Sequence, residues 1–136
     1  MIEFRSPCPI ASTLDIVGDK WSLLILRSMV VGATSYSDFL ASTEKKSTNI
    51  LAERLRRLEE AGLIARATER KGSIRGAYAL TRRGAALIPA LQELARWGEA
   101  NSPASSRRRR HHDLRGGKRA ELSFPGTFNL ARHARF

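Results

Sequence analysis

Ser47-Thr48-Asn49-Ile50-Leu51-Ala52-Glu53-Arg54-Leu55-Arg56-Arg57-Leu58-Glu59-Glu60-Ala61-Gly62, then Leu63-Ile64-Ala65-Arg66-Ala67, a basic turn and Tyr78-Ala79-Leu80, is the stretch that decides the fold. At about 100° per residue, Leu51, Leu55 and Leu58 fall on one narrow edge of a helix from Thr48 to Ala61, ended by Gly62. Asn49, Glu53, Arg56 and Glu60 lie opposite, with Ala52 at the side. Two short strands follow, near 63–70 and 77–81, joined by Arg70-Lys71-Gly72-Ser73-Ile74-Arg75-Gly76. A helix with one polar face beside a hairpin with a cationic tip is the layout of a winged helix-turn-helix, which reads double-stranded DNA.

The side chains suit that task. Asn pairs with adenine through two bonds, Arg with guanine, Glu accepts from cytosine, and Ala touches the thymine methyl. The N-terminal part of the second helix enters the major groove, so Thr48, Asn49, Ala52, Glu53 and Arg56 are the candidate base readers. Ser47 and the free N–H groups of the helix start can hold a phosphate. Arg54 and Arg57 flank the face and are expected on the DNA backbone, as are Arg70, Lys71 and Arg75 of the wing. Taken alone, such a helix is usually a solvated face with internal pairs such as Glu53–Arg57. The ordered series of elements, rather than any single residue, favours DNA.

Upstream, Pro9 opens a helix to about Val17, in which Ile10, Leu14 and Val17 recur at helical spacing. Gly18 stops it, and Asp19 can cap a second helix from about Lys20 to Val30. Its broad stripe of Trp21, Leu24, Ile25 and Met29, widened by Leu23 and Leu26, predicts a central, mostly buried element. Ser35, with Asp38 three residues on, starts a short helix to Leu40. Downstream, Thr81 caps a last helix from about Arg82 to Ala100 with Leu87, Leu91, Leu94 and Trp97 in register, kinked or broken at Pro89. The fold class is therefore mainly α with a small β-hairpin.

The 136 residues suit one domain over 1–100 and a basic tail over 101–136, where periodicity is lost and disorder is expected. The formal charge of +11 is unevenly spread. Residues 1–100 hold 15 Lys/Arg and 11 Asp/Glu, and residues 101–136 hold 9 and 2. High charge is thus weak support for DNA reading by the folded part. Arg107 to Arg110 can add nonspecific affinity or simply be solvated, and the adjacent His111 and His112 make a poor metal site. No apolar run approaches the roughly 20 residues of a membrane span, and no leader pattern opens the chain. A cytoplasmic location is the expectation, without membrane, cofactor or metal. All three histidines fall in the tail, and there is neither a phosphate loop nor a nucleophile motif, so no enzyme is expected. The rival reading is a winged helix used for protein–protein or RNA contact.

These segments resemble the HxlR-type regulators, small bacterial transcription factors with a MarR-like winged helix. The resemblance rests on Cys8-Pro9-Ile10, on Ile16-Val17-Gly18-Asp19-Lys20-Trp21-Ser22-Leu23-Leu24-Ile25-Leu26-Arg27 and on Tyr36-Ser37-Asp38-Phe39. It continues through Leu51 to Ile64 and Tyr78-Ala79-Leu80-Thr81-Arg82-Arg83-Gly84, spanning about residues 8–98. It implies a homodimer built from N- and C-terminal dimerisation helices, bound to a pseudo-palindromic operator, with repression as the expected outcome. The stripe from Leu87 to Trp97 fits such an interface, or else closes its own core. The wing has Arg75-Gly76-Ala77 where the family often has a proline and an acidic residue, and the basic tail is outside the family pattern.

Several members sense oxidants or electrophiles through an N-terminal cysteine, the place occupied here by Cys8, the single cysteine. That position implies an oxidant or small-molecule inducer. Cys8 precedes a helix N-terminus, whose dipole favours a thiolate, and Arg5 is near in sequence. The alternative is an unreactive cysteine packed near the dimer interface.

Overall fold

The computed structural model describes residues 3–42, 44, 47–67 and 77–102. The first helix, α1, spans Pro9–Val17, with Pro9 at its start, where a missing N–H costs nothing. The second, α2, spans Ser22–Val30 and buries Ile25, Leu26 and Met29 as the central element. It starts two residues later than the apolar pattern predicts. The Asp19 carboxylate accepts from the N–H groups of Trp21 at 2.8 Å and Ser22 at 3.0 Å. Lys20 and Trp21 are thereby held in a turn ahead of the helix, so Asp19 does cap it, from further away.

Helix α3, Tyr36–Leu40, is short and depends on its ends. Ser35 Oγ accepts from the Asp38 N–H at 3.2 Å, and Asp38 Oδ2 accepts from the N–H groups of Ser35 and Thr34, both at 2.9 Å. This is the reciprocal capping box that the Ser35/Asp38 spacing predicts. Those bonds from Thr34, then Ser35, hold the Asp38 carboxyl below its ordinary range.

Helix α4 spans Thr48–Glu60, with Ser47 Oγ accepting from the Ile50 N–H. Its end is fixed by Gly62 at φ +70°, a conformation side chains resist. The Gly62 and Leu63 N–H groups donate back to the carbonyls of Glu59 and Leu58, each at 2.9 Å. That double bond-back stops the helix and aims the chain into the sheet.

Strands β1, Ile64–Arg66, and β2, Tyr78–Leu80, pair antiparallel with Ile64 opposite Leu80 and Arg66 opposite Tyr78. The Ala67 N–H extends the ladder to the Ala77 carbonyl at 2.7 Å. The first strand, expected over 63–70, reaches into positions outside the described residues, whereas the second, expected over 77–81, is confined to Tyr78–Leu80 because Thr81 already caps the next helix. On its other edge, β2 donates from the Tyr78 N–H to the Thr34 carbonyl at 2.7 Å, tying the hairpin to the segment before α3.

The last helix is two. α5, Arg82–Ala85, is capped by Thr81, and α6 spans Ile88–Asn101 with Pro89 in its first turn. The chain breaks just before the proline, whose ring would have clashed with a continuous helix. Thr81 Oγ1 accepts from the Gly84 N–H at 3.1 Å and donates to the Gly62 carbonyl at 2.6 Å. Gly84 is buried so close to the hairpin that a Cβ would collide with the Leu63 carbonyl.

One core joins these elements. Ile25, Leu26, Phe39, Leu51, Leu55, Leu58 and Ile64 are almost fully buried. The predicted stripe of α6 divides: Leu91 is buried, Leu87 half-buried, while Leu94 and Trp97 are 53% and 67% exposed. Among the described residues no helix is long and apolar enough to cross a membrane. The expected disordered tail lies outside the described residues beyond Ser102.

Candidate nucleic-acid interface

The leucine edge of α4 is anchored, so its opposite face is turned outward. Leu51, Leu55 and Leu58 are at most 2% exposed, whereas Thr48, Asn49, Ala52, Glu53, Arg56 and Arg57 are all exposed. Five predicted base readers thus lie on one accessible surface at the N-terminal end of a helix about 20 Å long. That is a rod slim enough for the major groove.

The start of α4 is held from two sides. Ser47 caps it, and the Tyr36 hydroxyl donates to the Thr48 carbonyl at 2.7 Å. The first helix of the motif therefore grips the first residue of the second. This bond leaves no mark in the sequence, because the two residues are 12 positions apart and share no local pattern.

The outward face carries its own ion pairs. Arg56 lies 3.3 Å from Glu53 and also pairs with Glu60. The expected Glu53–Arg57 pair is replaced by Glu53–Arg56, one residue nearer. Hydrogen bonds that Arg56 donates to the Glu53 and then the Glu60 carboxylate raise its pKa further, and an arginine is cationic at any physiological pH. In water such exposed pairs are weak, and Arg56 can exchange its carboxylates for a guanine edge at little cost.

Arg54 departs from its expected place beside that face. It is half-buried, with its Nε 3.5 Å from Oδ1 of Asp19. The signal was present in the helical angles: Arg54 lies about 60° from Leu51 and about 40° from Leu58, nearer the core than the groove. At the opposite end of α2, the Arg27 guanidinium donates two hydrogen bonds, at 2.9 and 2.8 Å, to the carboxylate of Glu44 in the segment between α3 and α4. Arg27 has its pKa raised by those bonds. Arg70, Lys71 and Arg75 of the wing lie outside the described residues.

Cys8 is exposed and occupies the cap position of α1. Its N–H donates to Ser6 Oγ at 3.1 Å, and its carbonyl accepts from the N–H and hydroxyl of Ser12. Arg5 is directed to Asp15, by its main-chain N–H at 3.0 Å and by its guanidinium. Its charge is thus balanced by a carboxylate rather than held for the thiol. The same contacts, the main-chain bond foremost, lower the Asp15 pKa.

The family model described as HxlR-like helix-turn-helix matches residues 16–106, two thirds of the chain. The chain belongs to this family. An HTH-type transcriptional regulator of Bacillus subtilis (strain 168), YdeP, is 33% identical over 92 residues, covering 68% of this chain and 72% of its own. Among solved structures, the putative transcription factor PA1607 aligns with a TM-score of 0.66 at 40% identity, over 72% of this chain and 68% of that one. The redox regulator HypR in its oxidized form aligns at 0.62 and 30% identity, over 69% and 97%. The winged-helix fold and the class of DNA-binding transcriptional regulator follow for this HxlR-type chain. Its relatives are named as regulators, not enzymes. Cys8 lies outside the matched segment.

Proposed function

We propose that this HxlR-type protein is a homodimeric repressor that binds a pseudo-palindromic operator. Asn49, Ala52, Glu53 and Arg56 read base edges in the major groove, with Thr48 at the groove entrance. Ser47 and the N–H groups of the first turn of α4 take a phosphate, and Arg57 takes a neighbouring one. Arg70, Lys71 and Arg75 grip the backbone from the wing. The observation that carries this reading is the exposed polar face of α4, set directly opposite three buried leucines and held at its start by Ser47 and Tyr36.

Dimerisation is supported by apolar side chains that the single chain leaves in water. Ile10 and Leu14 of α1 are 72% and 50% exposed, alongside Leu94 and Trp97 of α6. Two terminal helices with such surfaces suit a shared interface, and a two-fold dimer presents two copies of α4 to successive half-sites. Cys8 is the element through which an oxidant or electrophile acts, by an intersubunit disulfide, a mixed disulfide or an oxygen adduct. Its exposure and the likeness to a redox regulator support that role.

A gel shift on the intergenic DNA upstream of the gene, at two salt concentrations with unrelated competitor, tests the reading. Retention of one sequence over competitor supports an operator-binding regulator. Equal loss from all DNAs favours a protein- or RNA-contact module. Adding diamide to wild type and Cys8→Ser tests the thiol: a response that survives the substitution removes Cys8 from the account.

A further inference from the structure

Asp19 serves two elements at once. Its Oδ1 accepts from the N–H groups of Trp21 and Ser22, and its Oδ2 accepts from the Ser22 hydroxyl, fixing the start of α2. The same Oδ1 faces Arg54 Nε on α4 at 3.5 Å, and both side chains are only 22% exposed. Arg54 Nε and Nη1 are buried and make no hydrogen bond among the described residues. What holds this guanidinium is therefore the negative charge of Asp19 across a short gap, not a shared proton.

We propose that Asp19 and Arg54 are a positioning pair that sets the placement of α4 for base reading, with Arg54 acting on the core side and never touching DNA. The inference rests on the reading of α4 as the base-reading helix. The geometry is that of a bracket. Helix α2 reaches the second half of the motif at both ends, through Asp19 to the middle of α4 and through Arg27 to Glu44 ahead of it. Arg54 follows Glu53 directly, so a shift at its anchor is passed to Glu53 and Arg56 on the outer face. Removing the Asp19 charge leaves the Arg54 guanidinium, with Nε and Nη1 buried and unbonded, uncompensated, so α4 shifts to bring it to water. Removing Arg54 leaves Asp19 on its α2 donors and takes away the attraction that draws α4 to it. Displacements of about 1 Å are enough to spoil directional contacts of the kind base edges require.

The test compares Asp19→Asn, Arg54→Gln and the double variant in the full-length chain. Asparagine keeps an oxygen for the Trp21 and Ser22 N–H groups, so the cap of α2 survives while the charge is lost. Each single variant is expected to lose operator affinity by about tenfold, in the range of coupling between neighbouring side chains. Affinity for unrelated duplex and the salt slope should stay close to wild type. The double variant, a neutral pair, should lose less than the product of the two. Amide exchange along α4 should quicken in both single variants without any DNA present.

If Arg54 instead holds a phosphate, Arg54→Gln alone lowers the slope of log affinity against log salt by about 0.9, and Asp19→Asn leaves operator binding intact. That result overturns the proposal. Unchanged exchange along α4 in both single variants overturns it as well. Should Asp19→Asn fail to fold, Arg54→Met decides alone, by selective operator loss at constant slope or by a fallen slope. Wild type that binds no DNA selectively defeats the operator reading instead, and the exchange measurement still decides whether the pair holds α4.

Discussion

The Tyr36 hydroxyl donates to the Thr48 carbonyl oxygen, 2.7 Å away, linking the first helix of the motif to the first residue of the second. With Ser47 capping the same turn, the main chain proposed to meet the DNA is fixed within the protein itself. Preorganisation of this kind reduces what binding must spend on fixing the reading surface.

Tyr36→Phe deletes one hydroxyl and keeps the ring. Loss of the bond should lower stability by about 0.5–1.5 kcal/mol. The urea midpoint should fall at unchanged slope, and operator affinity should fall more than affinity for unrelated DNA. A midpoint equal to wild type means water replaces the bond without loss.

Gly84→Ala puts a methyl group against the Leu63 carbonyl, where α5 crosses the hairpin. Both sides of that contact are main chain, so neither yields by a rotamer change. The expected cost is about 3 kcal/mol, read as a fall in thermal midpoint. An alanine variant as stable as wild type means that α5 can move away from the hairpin freely.

Leu94→Glu with Trp97→Glu replaces two exposed apolar side chains of α6. In a monomer this change should be neutral or better. In the proposed dimer it places charge in an apolar interface, so sedimentation should show monomers with unaltered helix content and much weaker operator binding. Dimers that persist locate the interface elsewhere.

Acid should weaken the fold through Asp19 and Asp38. Burial raises the Asp19 pKa, but bonds from the Ser22 hydroxyl and the Trp21 and Ser22 N–H groups, with Arg54 nearby, outweigh it and bring it below 3.8. Asp38 is lowered by the N–H groups of Thr34 and Ser35. A carboxyl with a depressed folded-state pKa gives stability that is complete above its ordinary value of 3.8 and lost as pH falls through the lower folded value. Denaturation midpoints should therefore be flat near neutrality and drop below about pH 4, and the drop should be smaller in Asp19→Asn.

The element ends were the most legible part of the chain, because their grammar is local. Ser35 with Asp38, Ser47, Gly62, Thr81 and Pro89 each act within a few residues, and each does in the structure what its spacing predicts. Local grammar also misled where a side chain had two uses. Asp19 was legible as a cap but not as the partner of Arg54, 35 positions on, and its reach ahead of Ser22 delayed α2. Arg56 had carboxylates at both i−3 and i+4, so spacing alone could not choose its partners over Arg57. On the outer face of α4 the exposure of the candidate readers was legible through their angle from the leucines. Their anchoring by Tyr36 was not, since it depends on how α3 packs.

The central claim is that the outer face of α4 reads bases, and the ratio of affinities for operator and unrelated duplex tests it most directly. It should be measured at one salt concentration for wild type and for Asn49→Ala with Arg56→Ala. The account predicts that the double variant keeps its affinity for unrelated DNA within a few fold while the ratio collapses toward one, each lost base contact being worth about 1–3 kcal/mol. A ratio that stays at its wild-type value while both affinities fall together would contradict it, by making those side chains contacts of the backbone alone.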